Sequence, residues 1–210
     1  MADPARMKRF RVQDRGRPED LWQPLYDRAN VATTVPASIN FFSTARGGSA
    51  TLIRNTGTST VNKTLRDTNL ETSGQLPAKG FQARGISQYF IPGTIAPDST
   101  STDNIIHDIQ QLMNNGYMEW KAGDKTILQL PLYNIPAYTY VAGLAALTNN
   151  AESLVAAQNR SERGMYVLGV PITFQPFDTF TVVYTFDGTI TLTQTFDIQF
   201  TFHGIMRRPT

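Results

Sequence analysis

The sequence predicts an all-β protein, a jelly-roll β-sandwich (a single jelly roll) with one short helix and an irregular N-terminal arm. Three observations predict it. From Pro171 to Met206 apolar and polar residues alternate: Phe180, Val182, Tyr184 and Phe186 against Thr179, Thr181, Val183 and Thr185, then Ile190 and Leu192, then Phe196, Ile198, Phe200 and Phe202. Successive side chains on a strand point to opposite faces, so this pattern makes one apolar and one wet face, half of a sandwich. Twelve Phe and eight Tyr accompany many Thr, the residue types that fit a pleated, half-buried surface. Roughly eight to ten strand-like segments with long irregular connections fit a jelly roll better than a simple meander.

Asp187-Gly188 reads as a turn, yet a two-residue hairpin there sets Phe186 opposite Thr189, an apolar face beside a polar one. Either a third loop residue makes a bulge, or the two strands belong to different sheets. The reading adopted is two long strands, Thr179 to Phe186 and Thr195 to Ile205, joined by a connection that crosses the sandwich.

Residues 1–37 show no period, and Pro4, Pro18, Pro24 and Pro36 argue against a helix or central strand, so they read as an extended arm before a domain spanning 38–210. Ser38 to Thr44 reads as a first strand ended by Gly47-Gly48. Ala50 to Arg54 and Val61 to Leu70 follow, separated by a loop from Asn55 to Thr60, then Phe81 to Ile91. Ile105, Ile106, Ile109, Leu112 and Met113 recur at helical spacing behind a Thr102 or Asp103 cap, predicting a helix near 103–115 over the open end of the sandwich, with His107 off its apolar face. Tyr117 to Lys121 and Lys125 to Leu132 read as a hairpin, and Pro131 and Pro136 frame an aromatic loop. An irregular insertion near 141–163 precedes Met165 to Leu168 and Ile172 to Phe174.

The chain of 210 residues is long enough for its own core. It contains no cysteine and no apolar run long enough for a bilayer, and its start lacks a signal-like stretch, so synthesis in a reducing cytoplasm is expected. The two glycosylation-type triplets, Asn62-Lys63-Thr64 and Asn159-Arg160-Ser161, then read as chance. Net charge is +2, and residues 1–20 carry the excess: Arg6, Lys8, Arg9, Arg11, Arg15 and Arg17 against Asp3, Asp14, Glu19 and Asp20. A neutral body with a basic arm suggests an electrostatic tail. Leu21, Trp22, Leu25 and Tyr26 form an apolar knot that a merely floppy end rarely carries. The arm residues Arg6, Lys8, Arg9, Arg11, Arg15, Arg17, Trp22 and Tyr26 are therefore expected to contact a neighbouring subunit.

No catalytic constellation assembles. The two histidines, His107 and His203, have no carboxylate at ligand spacing, so no metal or other cofactor is expected. Phosphate-loop, dinucleotide and nucleophile-elbow patterns are missing from the sequence. Among the carboxylates Glu119 is the candidate acid, because Trp120 beside it offers a sugar platform. Tyr133, Tyr138 and Tyr140 offer an aromatic contact surface. Residues 126–151 hold no Lys or Arg, which favours a protein neighbour over nucleic-acid bases.

Three stretches carry a resemblance: Asp67-Thr68-Asn69-Leu70 with Gly74-Gln75-Leu76-Pro77; Pro131-Leu132 with Ile135-Pro136-Ala137; and the ending Phe202-His203-Gly204-Ile205-Met206-Arg207-Arg208-Pro209. With the strand pattern, spanning roughly residues 38–209, the chain resembles jelly-roll capsid proteins of small tailless icosahedral bacterial viruses. The resemblance implies a non-enzymatic shell subunit located in the virion, a major capsid protein whose partners are copies of itself and other virion proteins. Its basic arm would meet a neighbour, a packaged genome or an anionic internal membrane. The double jelly-roll members of such groups need more strands than this chain carries, which implies the single form. The alternative is a carbohydrate- or receptor-binding module on the same fold, a minor vertex or spike protein, with Trp120 and the tyrosine loop as its ligand surface. A glycoside-processing enzyme built on Glu119 ranks last.

Overall fold

The structure, a computed structural model, describes residues 19–54, 57–76, 80–93, 99–137 and 164–208. These form β1 (Glu19–Trp22), β2 (Leu25–Val31), β3 (Ser38–Phe41), β4 (Ser49–Arg54), β5 (Gly57–Asn62), β6 (Gly80–Pro92), α1 (Ser99–Asn114), β7 (Gly116–Ala122), β8 (Lys125–Pro131), a 3-10 turn (Leu132–Asn134), β9 (Tyr166–Phe174), β10 (Phe180–Phe186) and β11 (Phe196–Arg208). The protein is an all-β sandwich of antiparallel sheets. One sheet runs β1-β11-β6-β9 with β2 also on β11, the second runs β3-β10-β7-β8, and β4 pairs with β5.

Apart from β1, β4 and β5, eight strands remain, and each pairs with the one equally far from the other end of the series. β2 pairs with β11, β3 with β10, β6 with β9 and β7 with β8. The ladders β11–β6 and β10–β7 then join these pairs into the two sheets. Consequently β10 and β11 lie in different sheets, and the chain after Asp187-Gly188 crosses the sandwich, the second of the two alternatives that the register mismatch left open. Ile190 and Leu192 are buried on that crossing.

The core is the meeting of the two apolar faces. Trp120 on β7 packs on Phe202 of β11 and Phe174 of β9, with ring centroids 4.6 and 5.3 Å away, and Phe41 meets Tyr184 at 4.7 Å. The three pairs are tilted, stacked and edge-on respectively, and tilted, offset-stacked and edge arrangements are those the aromatic quadrupole favours. Gln88 is buried inside but satisfied: its amide donates to the carbonyls of Leu132 and Ile135 and accepts from the Tyr184 hydroxyl. That amide fixes the Pro131–Pro136 loop to β6. Helix α1 buries Ile105, Ile109, Leu112 and Met113 and leaves His107 exposed. The buried Asp108 of α1 accepts from the backbone N–H and hydroxyl of Thr193, tying the helix to the crossing connection.

Several boundaries differ from the sequence reading. Residues 1–18 lie outside the described residues, and residues 19–31, read as part of the extended arm, form β1 and β2, strands of the main sheet. Their register on β11 is continuous across the break: Trp22 faces Ile205 and Leu25 faces Phe202. Pro24, which has no N–H to give, sits in the break, and Gln23 N donates to Gly204 O. Prolines exclude a central strand, but this is an edge, where they are tolerated. Residues 57–60, read as loop, belong to β5, and the strand read over 61–70 stops at Asn62. Beyond it the chain covers the outer edge of β2 with side chains: Asn69 Oδ1 accepts from Tyr26 N, Asn69 Nδ2 donates to Pro24 O and Thr68 Oγ1 to Tyr26 O. Helix α1 begins at Ser99, ahead of the expected cap, and the two segments read around Pro171 are one strand, β9. The expected insertion near 141–163 lies outside the described residues.

Candidate functional site

The outer face of the five-stranded sheet carries a row of aligned residues. Trp22 pairs with Ile205, Ile205 with Gln82 and Gln82 with Thr173, so four strands each contribute one side chain to one line. In the adjacent row, Leu21, Met206, Phe81 and Phe174, the last three are buried in the core. A groove of about 560 Å³ lies over three residues of the outer row, Ile205, Gln82 and Thr173, and its further polar lining among the described residues is Asp20, Arg84 and Gln175. Gly80, which has no side chain, forms part of its floor.

Arg84 reaches this groove through a β-bulge. Against β11 the register of β6 shifts between Ala83 and Gly85, leaving Arg84 as the extra residue, whereas against β9 the same step leaves four residues of β9, 168–171, opposite Arg84 alone. Bulges re-aim side chains, often beside functional surfaces. Glycine makes this one possible: a Cβ at Gly204 would lie 2.2 Å from Gln82 O. The Arg84 guanidinium donates to Gln82 Oε1 from Nε (3.1 Å) and Nη2 (3.0 Å), and Gln82 Nε2 donates to Thr173 Oγ1 at 3.4 Å.

Farther along the same face, Ser87 Oγ and His203 Nε2 are 2.8 Å apart. Burial pushes the imidazole below its ordinary pKa, favouring the neutral ring. Among the described residues no carboxylate bonds His203, and Ser87 is itself buried, so the pair reads as a satisfied polar contact. No group of three or more His, Asp or Glu residues that could hold a metal ion occurs among the described residues.

The sequence reading missed a buried charge network around β2. Asp197 Oδ2 accepts from Arg28 Nε at 2.6 Å and from Ile53 N at 2.8 Å, while Asn30 Nδ2 donates to Asp197 Oδ1 at 2.7 Å. Arg28 Nη2 donates to Ile53 O, and Arg54 binds Asp67 at 2.8 Å. Lys63 Nζ donates to Asp27 Oδ1 at 2.7 Å, and Phe42 N donates to Asp27 Oδ2 at 2.6 Å. Phe42 has φ of 63°, a costly region for a bulky residue, and the Asp27 carboxylate helps hold it there. Three acids and three bases balance, and together they fasten the β4–β5 hairpin to the sandwich.

The residues singled out from sequence disperse. Arg6, Lys8, Arg9, Arg11, Arg15, Arg17, Tyr138 and Tyr140 lie outside the described residues. Trp22 is exposed and Tyr26 half-buried, but both are strand residues of the sheet, not of an arm. The Tyr26 hydroxyl donates to Leu65 O. Tyr133 is exposed on the 3-10 turn. Trp120 cannot be a sugar platform: it is fully buried, and its Nε1 has no hydrogen-bond partner among the described residues. It serves the core by area. Glu119, beside it, points outward and is held below its ordinary pKa by the Lys121 hydrogen bond, despite partial desolvation, and by Thr126 and Gln129. A glycosidase acid needs the opposite shift. No known protein family, curated protein or solved structure matches this chain.

Proposed function

We propose that this chain is a structural subunit of an icosahedral virus shell, a single jelly roll acting by repeated self-association. The observation that carries the reading is the strand order. Eight strands pairing first with last and inward to the middle, split into two four-stranded sets, is what two Greek keys wound from one long hairpin give, an architecture used by capsid domains. The three stretches that carry the resemblance fall on the joints of this arrangement. Asp67–Leu70 covers the edge of β2, Leu132–Ala137 is held by Gln88, and Phe202–Arg208 includes the bulge glycine of β11. Val170 and Phe177, exposed on and just beyond the edge strand β9, supply apolar surface of the kind buried between subunits.

The test is mass-resolved sedimentation of the full chain and a version lacking residues 1–18, across a salt series. Truncation must stop there, because removing 19–31 also removes two strands and takes Asp27, Arg28 and Asn30 out of the charge network. Discrete oligomers or shells from the full chain, reduced by truncation or by salt, are expected. A monomer from both under every condition sinks the reading.

A further inference from the structure

We infer, on the reading of this chain as a self-associating subunit, that the turn carrying Phe177 is a knob. It inserts into the groove over Ile205, Gln82 and Thr173 of a second copy, and the two copies exchange knobs about a two-fold axis. Residues 175–178 form a turn closed by Asp178 N donating to Gln175 O at 3.2 Å, with Pro176 second and Phe177 third at φ 67°. Glycine or asparagine is the usual third residue of such a turn, and a bulky side chain is held there at a cost. Phe177 is also 58 % exposed, so packing in its own subunit does not offset that cost. What the position gives the ring is rigid presentation. Asp178 Oδ2 accepts from Gln175 N, Gln75 Nε2 donates to Phe177 O, and Leu76 N donates to Asp178 O. The turn is thus set before any partner arrives, which lowers the ordering cost of binding.

The recess fits that knob in size and in charge. Phe81, Phe174, Pro176 and Ile205 are its apolar lining, and about 560 Å³ is room for an aromatic anchor, the residue type that dominates subunit contacts. Arg84 is exposed, and its guanidinium donates to Gln82 Oε1, a neutral acceptor, with no carboxylate bonded to it among the described residues. Arg207 pairs in register with Asp20 and Gly80, two residues of the lining. Bases therefore outnumber the one acid, Asp20, which already has a partner. The knob brings the opposite sign: Asp178 follows Phe177 and is in no ion pair among the described residues. Knob and recess meet at Pro176, so a single patch carries both, as a contact between identical copies requires.

The experiment is analytical sedimentation of the full-length protein over a concentration series, with thermal unfolding of each variant at a concentration too low for association. Phe177→Gly should raise the dimer dissociation constant about tenfold or more. Its thermal midpoint should hold or rise, because glycine accepts the left-handed backbone without strain. Arg84→Glu should weaken the dimer as well. An equimolar mixture of the two variants should associate more tightly than either alone, since the intact knob of one meets the intact groove of the other. Equal association of the wild-type protein and Phe177→Gly, or no recovery in the mixture, overturns the inference and leaves the shell reading standing. A midpoint that falls steeply in Phe177→Gly also overturns it, since Phe177 then packs its own subunit. A wild-type protein that stays monomeric throughout overturns both.

Discussion

Asp197 and Ile198 are neighbours on β11, both fully buried, and they belong to two different interiors. Ile198 faces the apolar space between the sheets with Phe196, Phe200 and Phe202. Asp197 faces the opposite way, into a polar interior closed by Arg28, Asn30 and the backbone of Ile53. The apolar interior tolerates adjustment, because dispersion contacts are numerous and individually weak. The charged one does not, since a removed partner leaves a desolvated charge behind.

Asp197→Ala should therefore cost about 3–5 kcal/mol in urea unfolding, because Arg28 stays buried without its carboxylate. A loss below about 1 kcal/mol would mean that water reaches Arg28 and that the comparison fails. A double-mutant cycle sharpens it. Lys63→Met alone should cost about 3 kcal/mol by stranding Asp27, whereas Lys63→Met with Asp27→Asn should recover most of that loss. Additive costs would show the two side chains to be independent. On the apolar side, Ile198→Val should cost only about 1 kcal/mol by the same measurement.

The smallest effect is on pH dependence, where two acids of the network act with opposite sign. Burial raises the pKa of Asp27 above the ordinary 3.8, with Lys63 and Phe42 N opposing it. The native state then holds that proton more tightly than the unfolded chain, and the stability Asp27 contributes below 3.8 is lost as pH rises through its raised folded value. Burial also favours a raised value at Asp67, but the Thr64 N–H and Arg54 outweigh it and the pKa is lowered. Its contribution is present above 3.8 and lost as pH falls through the depressed folded value. Urea midpoints across acidic pH should show Asp67→Asn flattening the loss on the acid side, and Asp27→Asn removing the loss on the rising side. The same slope in both variants would contradict this assignment.

What was legible in the sequence follows the same division. The alternation over Phe180–Phe186 and Phe196–Phe202 identified the two inner faces, and the mismatch at Phe186 and Thr189 argued against a two-residue hairpin, leaving a bulge or a crossing. Helix α1 was visible in the spacing of Ile105, Ile109 and Leu112. Trp120 was misjudged because an alternating strand does not say which face is buried, and Glu119 and Lys121, its polar neighbours, fit either reading. Pro24 hid β1 and β2, because the rule that a proline breaks a strand cannot be relaxed before an edge position is known. Trp22 was singled out, but its partners Gln82 and Thr173 carried no mark of their own.

Sequence alone determined the class of fold, since strand periodicity and helical spacing are local and survive in any tertiary arrangement. Tertiary structure decided which strands are neighbours, where β6 bulges, and which charges are buried. Arg28 and Asp197 are separated by 169 positions. Nothing local distinguishes that pair from two solvated charges; only the pairing of β2 with β11, and the β4–β5 hairpin closing over both, removes them from water. The outer row of Trp22, Ile205, Gln82 and Thr173 is of the same kind, four residues on four strands that become a surface only when register sets them in line.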